Sequence, residues 1–224
     1  MKIRDLSKEV NFKNDYKKAR AFFISVEGID GAGKSTNVEF IRKYLQDKGY
    51  AAIVTREPGG TVIGEEIRKL ILYGKNIDRV TELFLMFASR QELIKDVIIP
   101  NLENGVSVIA DRFIDSSIAY QGAGRNIGVD RVLSLLSLLE PKIIPDLTLL
   151  FDVPIELAIK RINNNKNKDR IENESIDFFK RIQKAYNKIA ADEPNRVKVI
   201  QTNQSISTTQ STIINYLDKF FKPS

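Results

Sequence analysis

Residues 22–35 read Phe22-Phe23-Ile24-Ser25-Val26-Glu27-Gly28-Ile29-Asp30-Gly31-Ala32-Gly33-Lys34-Ser35. A short apolar run passes into a glycine-rich stretch closed by lysine and serine, and beyond it Val38, Ile41 and Leu45 take up helical spacing. Gly28 to Ser35 fills the P-loop pattern in the context that pattern requires, with a strand before it and a helix after it. Its glycines let consecutive backbone N–H groups turn inward around phosphate, and the helix N-terminus adds favourable partial charge. Lys34 is placed for the β and γ oxygens of a nucleoside triphosphate, and the Ser35 hydroxyl for a magnesium ion. Gly28, Ile29, Asp30, Gly31, Ala32, Gly33, Lys34, Ser35 and Thr36 are therefore the expected ATP-binding segment.

Working outward, short β-branched or aromatic runs recur at Phe22–Glu27, Ala51–Thr55, Val106–Ala110, Leu147–Asp152 and Val197–Ile200. Between them lie helix-period segments such as Ile63, Ile67, Leu70 and Ile71, or Leu83, Phe87, Ile94 and Ile98. Pro154, just after the fourth run, fits the first position of a helix. Alternation of this kind predicts an α/β three-layer fold of the P-loop NTPase type, with a parallel five-stranded sheet flanked by helices and ligands at the carboxyl ends of the strands. One domain over residues 21–224 is expected, preceded by a lysine-rich extension over 1–20 to which no role is assigned. The asparagine-rich segment after Arg161 is too hydrophilic to pack; it reads as a surface loop or as a short lid over about 162–173.

Neither cysteine nor histidine occurs in the 224 residues. That removes disulfides, thiol nucleophiles, imidazole bases and Cys/His zinc sites, and leaves oxygen-ligated magnesium as the favoured metal. The net charge of +6 is compatible with acidic partners, but the basic residues are interleaved with Glu and Asp, as in Glu65-Glu66-Ile67-Arg68-Lys69, which is the pattern of a solvated helix face. Neither a nucleic-acid partner nor a membrane is expected, since no apolar run approaches the ~20 residues of a membrane span. A cytoplasmic location is the default, because the first residues lack an apolar signal segment and carry acids that organelle transit peptides avoid.

A P-loop alone is compatible with switches, motors and kinases. The stretch Asn165 to Asp169 looks superficially like a guanine-recognition motif, but Lys168 stands where its aspartate belongs. The third run ends in Asp111-Arg112-Phe113, followed by Asp115, Ser116, Ser117, Tyr120 and Gln121. Asp111, at the end of a strand beside the P-loop strand, is either a carboxylate for outer magnesium contacts or a turn cap. Arg112 offers a bidentate fork to phosphate.

Together with Thr55-Arg56-Glu57-Pro58-Gly59-Gly60-Thr61, Pro145-Asp146-Leu147-Thr148 and Asp169-Arg170-Ile171-Glu172, these segments make the chain resemble the thymidylate kinase family over about nine-tenths of its length. The resemblance implies a homodimer and a magnesium-dependent, reversible transfer from ATP to dTMP. It assigns Asp30 to the neighbourhood of the acceptor phosphate and Arg56, Arg68 and Arg112 to the substrate pocket. Arg90 becomes the thymine-reading arginine, Ser116, Ser117 and Gln121 line the same pocket, and Tyr120 is the ring crowding the sugar 2′ position. The family usually places an aromatic residue four positions before that arginine. Here the position is Met86, with Phe87 next, and either can reach a base. A catalytic lid charge is expected from Arg170 together with Lys166 or Lys168, with Arg161 near the adenine or on the helix surface. A kinase for another nucleotide or a deoxynucleoside, and a nucleic-acid-dependent ATPase, are the competing readings. The first is separated by substrate competition, the second by stimulation of hydrolysis by DNA.

Overall fold

A computed structural model describes residues 21–164 and 167–221. Five parallel strands, β1 (Phe23–Glu27), β2 (Ala52–Arg56), β3 (Ser107–Asp111), β4 (Leu147–Asp152) and β5 (Val197–Gln201), form one sheet in the order β2-β3-β1-β4-β5. The first four begin and end within one residue of the runs read from the sequence. So does the fifth, which ends at Gln201. Central β1 and β4 are buried along nearly their whole length, whereas edge strands β2 and β5 mix buried, half-buried and exposed residues. This is how covered and half-covered positions in a parallel sheet should differ. The chain leaves β1 toward β2 and β3 on one side and later crosses to β4 and β5 on the other. A crevice therefore opens at the carboxyl end of β1, where the P-loop begins.

Helices cover both faces: α1 (Lys34–Asp47), α2 (Val62–Tyr73), α3 (Arg79–Leu93), α4 (Ile99–Glu103), α5 (Ile114–Ser117), α6 (Val129–Leu136), α7 (Ile155–Asn163), α8 (Ile176–Asp192) and α9 (Ile206–Phe221). The Thr61 hydroxyl caps α2 by accepting from Gly64 N at 2.9 Å, and Asp78 caps α3 through Val80 N and Thr81 N. Each such cap is worth about 1 kcal/mol. Pro154 precedes α7 as its cap residue rather than occupying the first helical position. Val38, Ile41 and Leu45 on α1 enter the core as expected, but of the apolar pattern on α2 only Ile67 and Ile71 are buried. Ile63 and Leu70 of the same pattern face outward. After α3 and again after α5 the chain makes π-helical turns, over Ile94–Ile98 and Ile118–Gly124. The second carries Tyr120 and Gln121, in keeping with the tendency of such turns to sit at functional sites. The expected extension over 1–20 lies outside the described residues.

Candidate active site

The P-loop keeps its shape because two of its positions admit no side chain. Gly28 has φ +135°, and a Cβ there would lie 2.3 Å from the Phe151 carbonyl oxygen; Gly31 has φ +76° and would meet Ala158 O at 2.6 Å. The loop thus folds directly against β4 and α7. Ile29 and Ala32 are buried and joined by a 3.2 Å bond from Ala32 N to Ile29 O, while Gly33, with φ +87°, leads into α1, where Ser35 and Thr36 are exposed. Arg161 of α7 donates to Gly31 O at 2.9 Å and to Thr202 O at 3.1 Å, so it braces the outside of the loop.

Lys34 is buried, and its Nζ donates to Gly28 O and Ile29 O, both at 3.0 Å. Burial, and then the charge of Arg112, push its ammonium down to about 8. Arg112 adopts a left-handed backbone with φ 76°. This strained geometry costs on the order of 1–3 kcal/mol, and it is held by Arg112 N donating to Val26 O at 2.9 Å and Phe113 N donating to Glu27 Oε1 at 2.7 Å. The guanidinium is thereby directed to Gly28 O at 2.9 Å, Asp30 Oδ1 at 2.5 Å, the Tyr120 hydroxyl at 3.0 Å and the Ser116 hydroxyl at 3.3 Å. Tyr120 in turn donates to Asp30 Oδ2 at 2.9 Å. Burial alone would raise the Asp30 carboxyl, but Arg112, Lys34 and these hydrogen bonds hold it below the usual carboxylate range.

One cavity connects this charged cluster to the α3 side: Asp30, Arg112 and Tyr120 line it together with Arg68, Met86 and Gln121. Arg68 reaches Pro58 O at 2.9 Å. Arg90 is fully buried, gives Nε and Nη2 to Glu57 at 2.6–3.1 Å, and also donates to Phe113 O at 3.0 Å. The two aromatic-position candidates separate. Met86 lines the cavity, whereas Phe87 joins the main core with its ring 5.1 Å from the Arg90 guanidinium. Three buried polar atoms of α3 and of the α5 segment have no partner among the described residues: Arg90 Nη1, Ser117 Oγ and Gln121 Oε1, of which only the Gln121 side chain belongs to a residue lining the cavity.

A wider cleft on the other side of the P-loop is lined by Ser35, Arg56 and Asp111. Arg56 pairs there with Glu65 at 2.8 Å, so it stands apart from the residues lining the cavity with Asp30. Asp111 Oδ1 is buried and unpartnered. One free carboxylate oxygen and one hydroxyl suit a magnesium ion that takes its remaining ligands from phosphate and water, and Ser35 and Asp111 are the residues that would hold it.

The lid residues are distributed differently from the sequence expectation. Arg170 gives Nη2 to Glu82 at 2.7 Å and Nε to Ile71 O at 2.9 Å, so its charge is engaged away from the P-loop lysine's carbonyl partners. Lys168 bonds Asn163 Oδ1 at 2.6 Å, within the segment itself. Lys166 lies outside the described residues.

Sequence reasoning missed the buried carboxylates Glu57 and Glu82, which hold arginines, and Glu27, which anchors the turn after β3. Glu27 accepts from Phe113 N, Ser116 Oγ at 2.6 Å and the Tyr186 hydroxyl at 2.8 Å. Burial first, and then the neighbouring Asp115 charge, push it up to about 7. A carboxyl raised in this way contributes stability fully below its ordinary 4.5, and that contribution is lost as pH rises through about 7. Glu27→Gln removes the titration. Relative to wild type, the variant is therefore expected to gain roughly 3 kcal/mol on going from pH 4.5 to pH 8. Urea unfolding of both proteins at the two pH values measures this, and a difference that does not change with pH contradicts it.

The family model for thymidylate kinases matches residues 26–213. The chain belongs to the thymidylate kinase family. A thymidylate kinase of Vesicomyosocius okutanii subsp. Calyptogena okutanii (strain HA) is 45% identical over 87% of this chain and 96% of its own length, and one of Thiobacillus denitrificans (strain ATCC 25259 / T1) is 45% identical over 87% and 95%. The crystal structure of thymidylate kinase from Ehrlichia chaffeensis superposes with a TM-score of 0.74 at 31% identity, covering 88% of this chain and 98% of that one. Membership of the thymidylate kinase family accounts for the P-loop and for the Thr55–Thr61 and Asp111–Gln121 segments together, since all three fall within the matched span.

Proposed function

We propose that this thymidylate kinase family member transfers the γ-phosphoryl group of ATP to the phosphate of dTMP, giving ADP and dTDP for dTTP biosynthesis. The observation that carries the reading is a cavity lined by Asp30, Arg112 and Gln121, whose Oε1 is buried without a partner; Arg90 Nη1 and Ser117 Oγ, each four residues along the chain from a lining residue, Met86 and Gln121, are buried and unpartnered as well. Each orphaned buried group costs about 1–3 kcal/mol, and a pyrimidine edge supplies the missing partners. An acceptor oxygen already ionised at neutral pH attacks the γ-phosphorus, and the bond to the β–γ bridging oxygen breaks with its electron pair leaving on ADP, so no general base is needed. Lys34 and Arg112 hold the phosphates in line and offset the charge developing on them. Asp30 keeps the Arg112 fork in place, and the Tyr120 ring crowds the sugar. Magnesium, when bound, neutralises charge on the donor phosphate oxygens. The segment 162–173 serves as the lid that excludes water, with Arg161 behind the ATP-binding loop. No described helix is long and apolar enough to cross a membrane, and the enzyme is assigned to the cytoplasm. A coupled ADP-release assay over a panel of nucleoside monophosphates tests the function: dTMP is expected to be the best acceptor, and a better one would overturn the proposal.

A homodimer belongs to the same reading. Val62, Ile63, Leu70 and Tyr73 are 54–86% exposed, and on α2 they fall within about 100° of arc. Phe84 of the adjoining α3 adds a further exposed ring, 57% accessible. Leu70→Glu, which places a charge in that apolar face, is expected to convert a dimer to a monomer by light scattering. A wild-type protein that is monomeric at micromolar concentration contradicts the assignment.

A further inference from the structure

Glu82, in the first turn of α3, is 1% exposed and takes no part in the phosphoryl transfer described above. Its carboxylate accepts from three side chains brought by two other parts of the chain: Gln121 Nε2 at 2.9 Å, Arg125 Nε at 3.2 Å and Arg170 Nη2 at 2.7 Å. Arg125 also pairs with Glu174, on the far side of the same segment that carries Arg170. Arg170 N further donates to Leu72 O at 3.0 Å, while its neighbours Asp169 and Ile171 line the cavity. The carboxylate is thus fixed from several directions. Burial would raise it, yet Arg125, Gln121 and Arg170 together hold it below the usual carboxylate range. It is ionised, and an ionised carboxylate only accepts.

That property decides the orientation of an amide. Gln121 is 3% exposed and lines the cavity, and its side chain carries a donor end and an acceptor end. Facing Glu82, only the NH2 end makes a bond; the reversed amide would set two acceptors against each other. The oxygen Oε1 is left unpartnered.

We propose that Glu82 is the positioning residue that sets the choice of base: by fixing the Gln121 amide it leaves Oε1 as an acceptor, so the incoming pyrimidine must carry an N–H at ring nitrogen 3. Thymine and uracil have that N–H, whereas cytosine presents a lone pair there. The inference rests on the proposed thymidylate kinase activity and explains how the site refuses a pyrimidine of nearly identical shape. It also gives Arg170 a use other than phosphate binding, as a countercharge that keeps Glu82 ionised and in place.

Glu82→Gln is the direct test, because a neutral amide at 82 can donate to Oε1 and so permits Gln121 to turn over. Steady-state kinetics on the full-length chain are measured with dTMP and dCMP as acceptors, beside thermal melts. The ratio of kcat/KM for dTMP over dCMP is expected to fall at least about tenfold. The fall should come through KM for dTMP, with KM for ATP unchanged. A general loosening of the structure would instead lower kcat and raise both KM values with the ratio preserved, and that result overturns the proposal. So does a ratio within twofold of wild type. If Glu82→Gln gives no cooperative melt, Gln121→Met decides, since it keeps Glu82 and both arginines but removes the acceptor: collapse of the same ratio supports the proposal and its retention overturns it. A wild-type enzyme that does not phosphorylate dTMP would refute the assigned activity, an outcome distinct from a selective wild type whose Glu82→Gln variant is equally selective.

Discussion

Lys34→Ala is expected to lower kcat by at least about a hundredfold while leaving the protein folded, because phosphate-clamping groups of this kind are typically worth that much in phosphoryl transfer. The local geometry explains why rate and stability should separate. Lys34 Nζ contacts two main-chain oxygens of its own loop, Gly28 O and Ile29 O. Losing such bonds costs about 1 kcal/mol each, and removing a buried cation beside Arg112 returns part of that. The loop is shaped instead by Gly28 and Gly31 against the backbone of β4 and α7. Titration gives the same residue a second signature. With its ammonium held down to about 8, the ligand-free enzyme loses this charge as pH rises through that value. Since kcat/KM reports the free enzyme, kcat/KM for ATP should decline above pH 8, whereas kcat, measured with phosphates stabilising the cation, should hold to higher pH. Retention of more than about a tenth of wild-type kcat by Lys34→Ala, or a flat kcat/KM profile between pH 7 and 9, contradicts the assignment.

What could be read from the sequence was what depends on neighbours along the chain. The strands are short buried runs, and the P-loop is a set of glycines at fixed spacing with a lysine whose side chain returns to the same loop. Interactions between distant segments were not legible in the same way. Glu57 meets Arg90 across 33 positions, Arg170 meets Glu82 across 88 and Tyr186 meets Glu27 across 159. No periodicity encodes those meetings, although an isolated acid at the end of an apolar strand, as Glu27 is, signals a buried carboxylate that needs partners. Arg170 shows the cost of the gap. By resemblance to the family an arginine flanking a polar lid reads as a carrier of the lid charge, shared with a lysine, and only the fold reveals an acid buried on α3 that pairs with it. Ile63 and Leu70 show the converse, since helical period identifies an apolar face but not whether the chain itself covers it.

Arg112→Lys should show how much of catalysis depends on the shape of a cation rather than its charge. Both side chains carry +1, and the left-handed backbone at 112, held by Val26 O and Glu27, is equally strained for either. The comparison therefore isolates the guanidinium. In place it serves Gly28 O, Asp30, Ser116 and Tyr120 with two nitrogens in one plane, its carbon 4.7 Å from the Tyr120 ring centre. An ammonium has three donors on one atom at the end of a flexible stem and cannot span that set. Asp30 and the Tyr120 hydroxyl would then lose the group that aligns them, and the acceptor phosphate would meet a point charge instead of a fork. The expected result is a rise of at least about tenfold in KM for dTMP together with a fall of about tenfold or more in kcat, since positioning errors act on the transition state as well as on binding. KM for ATP should change much less, because Lys34 and the P-loop N–H groups remain. A lysine variant with near-wild-type kcat would mean that net positive charge beside Asp30 suffices, and the planar fork would then have no catalytic role.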